Sequence, residues 1–330
     1  MWCLLSFANS STVNIFKIIE GNLKRIIDQV LESIVAVVVN GRECAYSDVQ
    51  VSEEYIATGF YIDKSTVVTV SHVSRNFDTK KLCLVSLDGE VYKGTVTSVD
   101  EDNDTMFIAT ERDMKPLKIE SALVSEGAIV FSSGIAQGIL RRFITMGVVS
   151  GLEVKAVINN REIEGLILLN MPTIPGMSGA PLIDVDGNVI GMILSRSFLY
   201  NEFSLALPSA RVLLDYMMLK KLGRIVHIKL GLKLLQSPNV LKKLGLKNGL
   251  VVTEITNKTL LKNCEIFVGD IITEVNGEKV TTLEDFRKAV LHSFLNGIGI
   301  ELNLFSQRGG IKKCYIDINS SIFVEDLKKV

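Results

Sequence analysis

Ser178 stands between glycines in the segment 175–181, which reads PGMSGAP, and an apolar run follows it to Gly191. A serine that attacks a carbonyl carbon needs backbone N–H groups aimed at the oxygen on which negative charge develops. Gly176 can adopt a turn that points its own N–H group and that of Ser178 the same way. The pattern predicts a nucleophile with an oxyanion hole formed by Gly176 and Ser178, although Gly-x-Ser-Gly also occurs in plain turns.

A serine nucleophile needs a base, and the chain has three histidines. His72 lies near the end of a β-branched, apolar stretch at 65–73, which predicts a strand that leads the imidazole into a cleft. His227 and His292 lie in polar or helical settings without such a context. We therefore predict that His72 is the base. The alternative is a half-buried histidine whose ring only satisfies a backbone carbonyl.

The third group expected beside a serine and a histidine is a buried carboxylate that orients the imidazole. Acidic residues crowd into positions 100–104, and most of this cluster is predicted to be a solvated turn. Asp104 differs because it comes just before the apolar residues 106–109, so we expect it to be drawn into the interior. The chain order His72, Asp104, Ser178 is that of chymotrypsin-like double barrels, whereas subtilisins and α/β-hydrolases use other orders.

Several ordered blocks resemble one known family. They read ATGFYI at 57–62, VTVSHV at 68–73, DND at 102–104, PGMSGAPL at 175–182 and DGNVIG at 186–191. In this order they are similar to the protease domain of the HtrA (Deg) serine proteases. SLALPS at 204–209 resembles the end of that domain, and VGDIITEVNGEKV at 268–280 resembles a PDZ-domain core. The resemblance covers residues 30–318 and implies a trypsin-fold serine protease with one C-terminal PDZ domain.

The chain departs from the family pattern at a few positions. Met177 stands where a small polar residue is usual, Ala180 replaces a common glycine, and Thr105 replaces the usual leucine or isoleucine after the aspartate. None of these changes removes a predicted catalytic group. The segment 168–174 is more apolar than its counterpart in the family, so the resemblance says less about the specificity pocket.

Length and composition fit a folded enzyme. The chain has 330 residues, which suits two domains, and its 36 basic and 37 acidic residues give no reason to expect a nucleic-acid partner. Although 47% of the residues are hydrophobic, no apolar stretch reaches the 18 residues that would predict a transmembrane helix. The apolar residues 2–8 lack a basic flank and a clear cleavage site, so we expect an ordered arm rather than a secretory signal.

The five cysteines are scattered and form no Cys-x-x-Cys pair. No metal site is predicted, and the cysteines are interpreted as small buried hydrophobic residues or incidental thiols. The cysteines therefore do not indicate the cellular compartment of the protein. By resemblance the protein is extracytoplasmic or membrane-associated.

The predicted fold is mainly β, a chymotrypsin-like double β-barrel protease domain followed by a small α+β PDZ domain. Helical spacing of apolar residues predicts a helix over 12–33, and short β-branched runs over 34–208 are typical of barrels. An amphipathic helix at 210–222, closed by Gly223, marks the boundary. The expected domains are an apolar arm (1–33), the protease domain (34–208), a linker helix (209–223), the PDZ domain (224–318) and a tail (319–330).

Two further sites are predicted with less support from motifs. Residues Ile193, Leu194 and Ser195 follow the hairpin after the nucleophile and are expected to form one wall of the primary pocket. No acidic residue lies there, so cleavage after small or medium aliphatic residues is expected. In the PDZ-like region, the loop Lys229, Leu230, Gly231 and Leu232 aligns with the loop that captures a peptide carboxylate; alternatively, Gly231 only begins a strand.

These residues predict a serine endopeptidase that works through an acyl-enzyme without a cofactor. The family resemblance implies that it degrades unfolded or damaged polypeptides without ATP. Its expected partners are misfolded polypeptides and C-terminal peptides, which would regulate it through the PDZ domain. The family resemblance implies a homotrimer or higher oligomer, with a monomer left open. A chaperone-like peptide-binding protein with little proteolytic activity is the main alternative, and a structural β-sandwich with an accidental serine and histidine is the third.

Overall fold

Strands dominate the described part of the chain, as the short β-branched runs predict. The computed structural model describes residues 15–39, 55–74, 82–121, 124–136, 141–158, 160–196, 203–256, 261, 264–317 and 323–326. Two groups of strands each close into a barrel, and a smaller sheet follows them in the chain. This agrees with the predicted mainly-β double-barrel fold.

The first barrel closes in the order β1-β2-β3-β6-β5-β4 with antiparallel neighbours. All six residues of β1 are buried, as an unbroken run of valine, isoleucine and alanine predicts. The strands are β1 Ile34–Val39, β2 Tyr55–Tyr61, β3 Thr66–Val70, β4 Leu82–Ser86, β5 Val91–Asp100 and β6 Thr105–Thr110. A short 3-10 turn, Ser71–Ser74, follows β3.

The second barrel closes in the order β10-β11-β12-β9-β8-β7. Its hairpin β10–β11 is the one predicted after Ser178. The strands are β7 Ile129–Ala136, β8 Arg141–Ile158, β9 Arg161–Asn170, β10 Pro181–Ile183, β11 Val189–Arg196 and β12 Ser204–Pro208. Strands β1 and β2 of the first barrel contact β7 of the second, so the two barrels meet along a seam.

One helix precedes the two barrels in the chain and another follows them. The predicted helix over 12–33 is observed as α1, Ile15–Leu31; residues 12–14 lie outside the described part. Its apolar stripe is only partly covered, since Ile26 and Val30 are buried whereas Ile18 and Ile19 are about half exposed. Helix α2 spans Ser209–Leu222 and ends at Gly223 in the left-handed conformation, as predicted.

The C-terminal region forms a sheet in the order β14-β15-β16-β18-β19, with β17 paired to β16 and a separate β13–β20 pair. Helix α4, Leu283–Leu295, begins after Thr282, whose hydroxyl and Asp285 form a capping box. The remaining elements are β13 Val226–Lys229, β14 Leu232–Leu235, α3 Pro238–Lys243, β15 Leu250–Ile255, β16 Ile271–Val275, β17 Glu278–Lys279, β18 Ile300–Ser306, β19 Gly310–Ile316 and β20 Phe323–Asp326. Within the described residues, no helix is both long and apolar enough to span a bilayer.

Two cysteines of this region form a disulfide, Cys264–Cys314. It ties the segment before β16 to β19, and Cys314 is buried in the regional core. The interpretation of the cysteines as incidental thiols was wrong for this pair, because residues 50 positions apart carry no spacing motif that reveals their pairing.

We expect the double substitution Cys264→Ala, Cys314→Ala to destabilise the C-terminal region by about 4 kcal/mol, the loop-closure value for a loop of this length. The bridge spans 50 residues, and its loss frees that loop in the unfolded chain. Urea unfolding followed by a C-terminal fluorophore measures the change. An unchanged unfolding midpoint would show that the bridge contributes no stability.

Candidate active site

Strand pairing brings His72 and Asp104 together across the first barrel. Strand β3 pairs with β6 so that Val70 faces Thr105, and the 3-10 turn then carries His72 beside Asp104. His72 Nδ1 lies 2.7 Å from Asp104 Oδ2. Since a carboxylate can only accept, Nδ1 carries the proton and Nε2 is left as an acceptor. The imidazole is therefore in the tautomer that a general base needs.

The carboxylate of Asp104 is fixed by further hydrogen bonds. Its side chain is 2% exposed. Oδ1 accepts from Ser71 Oγ at 2.7 Å and from the backbone N–H of His72 at 2.9 Å. The backbone of Asp104 has a φ of 55°, a rare conformation for a residue other than glycine. The single carboxylate thus binds both the backbone and the ring of His72.

Ser178 lies on a tight loop before β10. Met177 donates to the carbonyl of Ile174, and Gly179 donates to the carbonyl of Ile193. The backbone N–H groups of Gly176 and Ser178 donate to no acceptor among the described residues. Gly176 has a φ of 96°, which glycine adopts without strain. Two free donors two residues apart fit the predicted oxyanion hole.

Thr58, on β2 of the first barrel, holds this loop. Its backbone N–H donates to the carbonyl of Ser178 at 2.8 Å. Its buried hydroxyl donates to the carbonyl of Gly176 at 2.7 Å and accepts from the N–H of Ile135 at 2.9 Å. The family-like block 57–62 contains Thr58, but nothing in that block indicated this role.

Gly179 lets the Ser178 loop approach the first barrel closely. A Cβ at position 179 would lie 2.1 Å from the carbonyl oxygen of Thr58 and 3.2 Å from the backbone nitrogen of Val70. Val70 precedes the turn that carries His72, so Ser178 is set beside the end of β3. Among the described residues, no hydrogen bond joins Ser178 to the ring of His72; such bonds often tighten only when substrate binds.

The predicted pocket residues lie on β11. The side chains of Ile193 and Leu194 are buried in apolar cores, and the backbone of Ile193 exchanges hydrogen bonds with Gly179 and Ala180. Any contact between these two residues and a substrate would therefore come from their backbone. Ser195 lies in the same strand at a register shift against β12. The assignment of these three residues to a pocket stays a prediction.

The predicted peptide-carboxylate loop joins β13 to β14. Lys229 ends β13, Leu230 is buried, Gly231 has a φ of 72°, and Leu232 begins β14. The backbone N–H groups of Leu230 and Gly231 donate no hydrogen bond within the described residues. Among the described strands, β14 is an edge of its sheet, so one side of its backbone pairs with no described strand and could take an added one.

The sequence does not predict a buried polar cluster that lies behind Asp104. His227 Nε2 lies 3.0 Å from Asp100 Oδ1, and both Asp100 and Asp215 are almost fully buried. Asp215 accepts from Asn103 Nδ2 and from Thr105 Oγ1. His227 belongs to β13, Asp215 to α2 and the others to the β5–β6 hairpin, so residues distant in sequence meet here. No short motif could have revealed the cluster. Within the described residues, this cluster included, no three His, Cys, Asp or Glu side chains are grouped to hold a metal.

The His227–Asp100 contact predicts a pH-dependent stability. Burial lowers the pKa of His227, but the hydrogen bond and charge of Asp100 outweigh burial, so the pKa lies above its ordinary value. Because the pKa of His227 is higher in the folded protein, protonated His227 stabilises the fold. This stabilisation is fully present below the unfolded-state pKa of about 6.5 and is lost as the pH rises through the folded-state pKa. Asp102 Oδ2 lies 3.8 Å from His227 Nε2 and acts in the same direction.

We expect His227→Ala to cost up to about 2 kcal/mol at pH 5.5 and less at pH 8.5, since a hydrogen bond to a charged partner contributes this much. Urea unfolding at both pH values measures the difference. The control is His292→Ala, whose side chain is 61% exposed. A loss for His227→Ala that grows with pH would contradict the assignment.

The chain is similar to several known proteins. A family model described as a trypsin-like peptidase domain matches residues 57–192. Protease Do-like 1, chloroplastic, of Arabidopsis thaliana is 29% identical over 248 residues, which are 69% of this chain and 56% of that protein. A probable periplasmic serine endoprotease DegP-like of Chlamydia pneumoniae is 28% identical over 254 residues, which are 73% of this chain and 50% of that protein. The chain thus spans about half the length of these curated relatives.

Solved structures show the same fold. The HtrA-type protease AlgW with tripeptide has a TM-score of 0.62 at 16% identity, covering 93% of this chain and 98% of that one. A serine endoprotease from Yersinia pestis has a TM-score of 0.56 at 16% identity, covering 92% and 98%. At such identities the likeness concerns the fold alone. The chain therefore has the fold of these structures, and over residues 57–192 it is similar to a trypsin-like peptidase domain.

Proposed function

We propose that the protein is a serine endopeptidase that cuts unfolded or damaged polypeptides. The observation that carries the proposal is the 2.7 Å contact between His72 Nδ1 and Asp104 Oδ2, next to a glycine-flanked serine loop. That contact leaves His72 Nε2 as an acceptor, and the loop offers two backbone N–H groups that are unpaired within the described part of the chain. These are the groups that acyl transfer to a serine requires.

In the proposed mechanism Ser178 Oγ attacks the peptide carbonyl while His72 Nε2 takes its proton. Asp104 stabilises the resulting imidazolium, and the N–H groups of Gly176 and Ser178 bind the oxyanion. His72 then gives the proton to the leaving amine as the C–N bond breaks. Water, deprotonated by His72, hydrolyses the acyl-enzyme and restores Ser178. Every proton passes through His72, and none of these steps involves ATP or a cofactor.

The substrate preference follows from what surrounds the loop. No acidic residue lies in 193–195, and the neighbouring segment 168–174 is apolar. We therefore propose cleavage after small or medium aliphatic residues. The backbone of Ile193 would form one wall of the primary specificity pocket. A preference for Lys or Arg in a peptide library would reject this specificity.

We propose that the C-terminal region is a PDZ domain that binds peptide ends. The open edge of β14 can accept an extended peptide as an added strand. The N–H groups of Leu230 and Gly231, which donate no hydrogen bond within the described residues, lie at the start of that edge and could bind a terminal carboxylate. One structural neighbour is an HtrA-type protease solved with a tripeptide. Such binding would regulate the peptidase.

Compartment and assembly are proposed on the same basis. The relatives are described as periplasmic or chloroplastic, and disulfides such as Cys264–Cys314 persist in oxidising compartments, so an extracytoplasmic location is proposed. Half-exposed Ile18 and Ile19 on α1 give an apolar surface that a homotrimer could bury. A sedimentation experiment that finds only monomer at micromolar concentration would reject the trimer.

A peptide-binding protein with little proteolytic activity is the second candidate. The observation that favours it is the missing hydrogen bond between Ser178 and the His72 ring among the described residues. In that case the C-terminal region would act by itself and the barrels would serve as a scaffold.

The deciding experiment incubates heat-denatured casein with the purified protein or with its Ser178→Ala variant. Each is tested with and without a peptide that ends in an apolar residue. Cleavage by the unsubstituted chain alone, accelerated by the peptide, supports the peptidase and its regulation. If neither chain cuts casein while both bind the peptide, the peptide-binding function replaces the peptidase.

A further inference from the structure

The backbone conformation of Asp104, in the turn between β5 and β6, requires stabilising contacts from surrounding residues. A residue other than glycine at a φ of 55° costs about 1–3 kcal/mol and persists only where its surroundings impose the conformation. The bonds from Ser71 and His72 hold the carboxylate of Asp104 from the side of the active site. On the opposite side of the turn, Asp100 Oδ1 accepts from the backbone N–H groups of Asp102 and Asn103. The side chains of Asn103 and Thr105 are left to be fixed by another group.

Asp215 supplies those bonds from helix α2. Its Oδ1 and Oδ2 each lie 3.2 Å from Asn103 Nδ2, and Oδ2 accepts from Thr105 Oγ1 at 2.8 Å. Asp215 is 1% exposed. One side chain therefore binds the residue before Asp104 and the residue after it.

We propose that Asp215 is a positioning residue, which holds Asn103 and Thr105 so that the carboxylate of Asp104 stays aligned with His72 Nδ1. The inference rests on the proposed peptidase function in that it takes Asp104 as the carboxylate of the catalytic triad. Asp215 touches neither His72 nor Ser178, and it acts through the hairpin turn.

The alternative is that Asp215 merely packs helix α2 onto the barrel. A buried acid is a costly way to do so, because apolar side chains of similar volume usually pack there equally well or better. Neighbours of Asp215 on the same helix, such as Val212 and Met218, are apolar and buried, as simple packing predicts. The carboxyl group is explained by the two donors that flank Asp104.

The charge of Asp215 guides the choice of variants. Burial raises the pKa of Asp215 well above its ordinary value, and the charge of Asp100 acts in the same direction, while His227 opposes it. These causes favour the neutral acid. Asparagine has the same shape and can keep both bonds once the Asn103 amide turns over. Leucine has a similar shape and removes both bonds.

The test compares Asp215→Leu, Asp215→Asn and Thr105→Val with Met218→Ala, a buried control on the same helix. We expect Asp215→Leu to lower kcat on a peptide substrate by about 10- to 100-fold with KM nearly unchanged, because small misplacements of a catalytic group have such effects. Thr105→Val should give a smaller fall, and Asp215→Asn should restore most of the activity. Met218→Ala should lower the melting temperature without lowering kcat per folded molecule.

A second readout does not depend on turnover. The proton on His72 Nδ1, hydrogen-bonded to Asp104, is expected as a downfield proton NMR signal that disappears in a His72→Ala variant. The signal should shift or vanish in Asp215→Leu and persist in Asp215→Asn and Met218→Ala. If Asp215→Leu keeps both the signal and kcat, or if Met218→Ala loses them equally, the positioning role is wrong. If the unsubstituted chain neither cuts casein nor reacts at Ser178, the proposed function fails instead, and the NMR signal still decides the role of Asp215.

Discussion

Replacing Asp104 with asparagine is expected to lower kcat about 10⁴-fold while the fold is retained, the size of effect known for this change in serine-protease triads. The contacts of Asp104 explain why. Oδ1 accepts two hydrogen bonds, from Ser71 Oγ and the N–H of His72, so the amide oxygen of asparagine would occupy that position. The amide nitrogen would then face His72 Nδ1 and donate to it. His72 would carry its proton on Nε2 and could not accept one from Ser178.

Steady-state kinetics on a peptide substrate, with circular dichroism to verify folding, measure the effect. Asp102→Asn is a matched control two residues away, because the Asp102 side chain is 42% exposed and binds Arg161 outside the site. It is expected to change kcat by less than about threefold, since an exposed ion pair contributes little. Equal activities for Asp104→Asn and the unsubstituted chain would remove Asp104 from the mechanism.

Replacing Thr58 with valine is expected to lower kcat about 10²- to 10³-fold, the usual cost of losing one oxyanion donor. Valine keeps the shape of threonine and the backbone bond to Ser178, but it leaves the carbonyl of Gly176 and the N–H of Ile135 without a partner. Each unsatisfied buried group costs about 1–3 kcal/mol. Since glycine tolerates either sign of φ, the Gly176 peptide can turn away to find another partner. The N–H groups of the loop would then lose their shared direction.

Thr145→Val is the control for this experiment. Thr145 lies in the second barrel, is 6% exposed, and its hydroxyl has no partner among the described residues. Its replacement removes the same atom without breaking a bond, so kcat should stay unchanged. Reaction rates with a fluorophosphonate, which also forms an oxyanion, should follow kcat. A Thr58→Val protein that is as active as Thr145→Val would show that the hydroxyl does not hold the oxyanion loop.

The local parts of the site could be predicted from the sequence. Three patterns depend only on neighbouring residues. They are the glycines around Ser178, the strand that leads to His72 and the apolar run after Asp104. The chain order of the three residues then predicts the double barrel, because this order accompanies one fold. Helix α2 and its end at Gly223 were predictable for the same reason, since helix ends depend on a few neighbouring residues.

The supports of the site could not be predicted in this way. Asp215 meets Asn103 across 112 positions, and Thr58 meets Gly176 across 118. Whether residues so far apart in the sequence come into contact depends on how the two barrels and α2 pack. A single sequence does not reveal that packing. The contact of His227 with Asp100 was not predictable for the same reason, because the two residues are 127 positions apart. The disulfide Cys264–Cys314 was missed in the same manner.

The catalytic role of Ser178 is tested most directly by reacting the protein with a fluorophosphonate and locating the adduct by mass spectrometry of its peptides. The proposed mechanism predicts one adduct, on Ser178, whose rate of formation falls by at least about 10³-fold in His72→Ala, because the hydroxyl then has no base. Heat-denatured casein should compete with the reaction. An unlabelled Ser178 in the folded protein, or labelling that proceeds equally fast without His72, would contradict the claim that these residues form the catalytic centre.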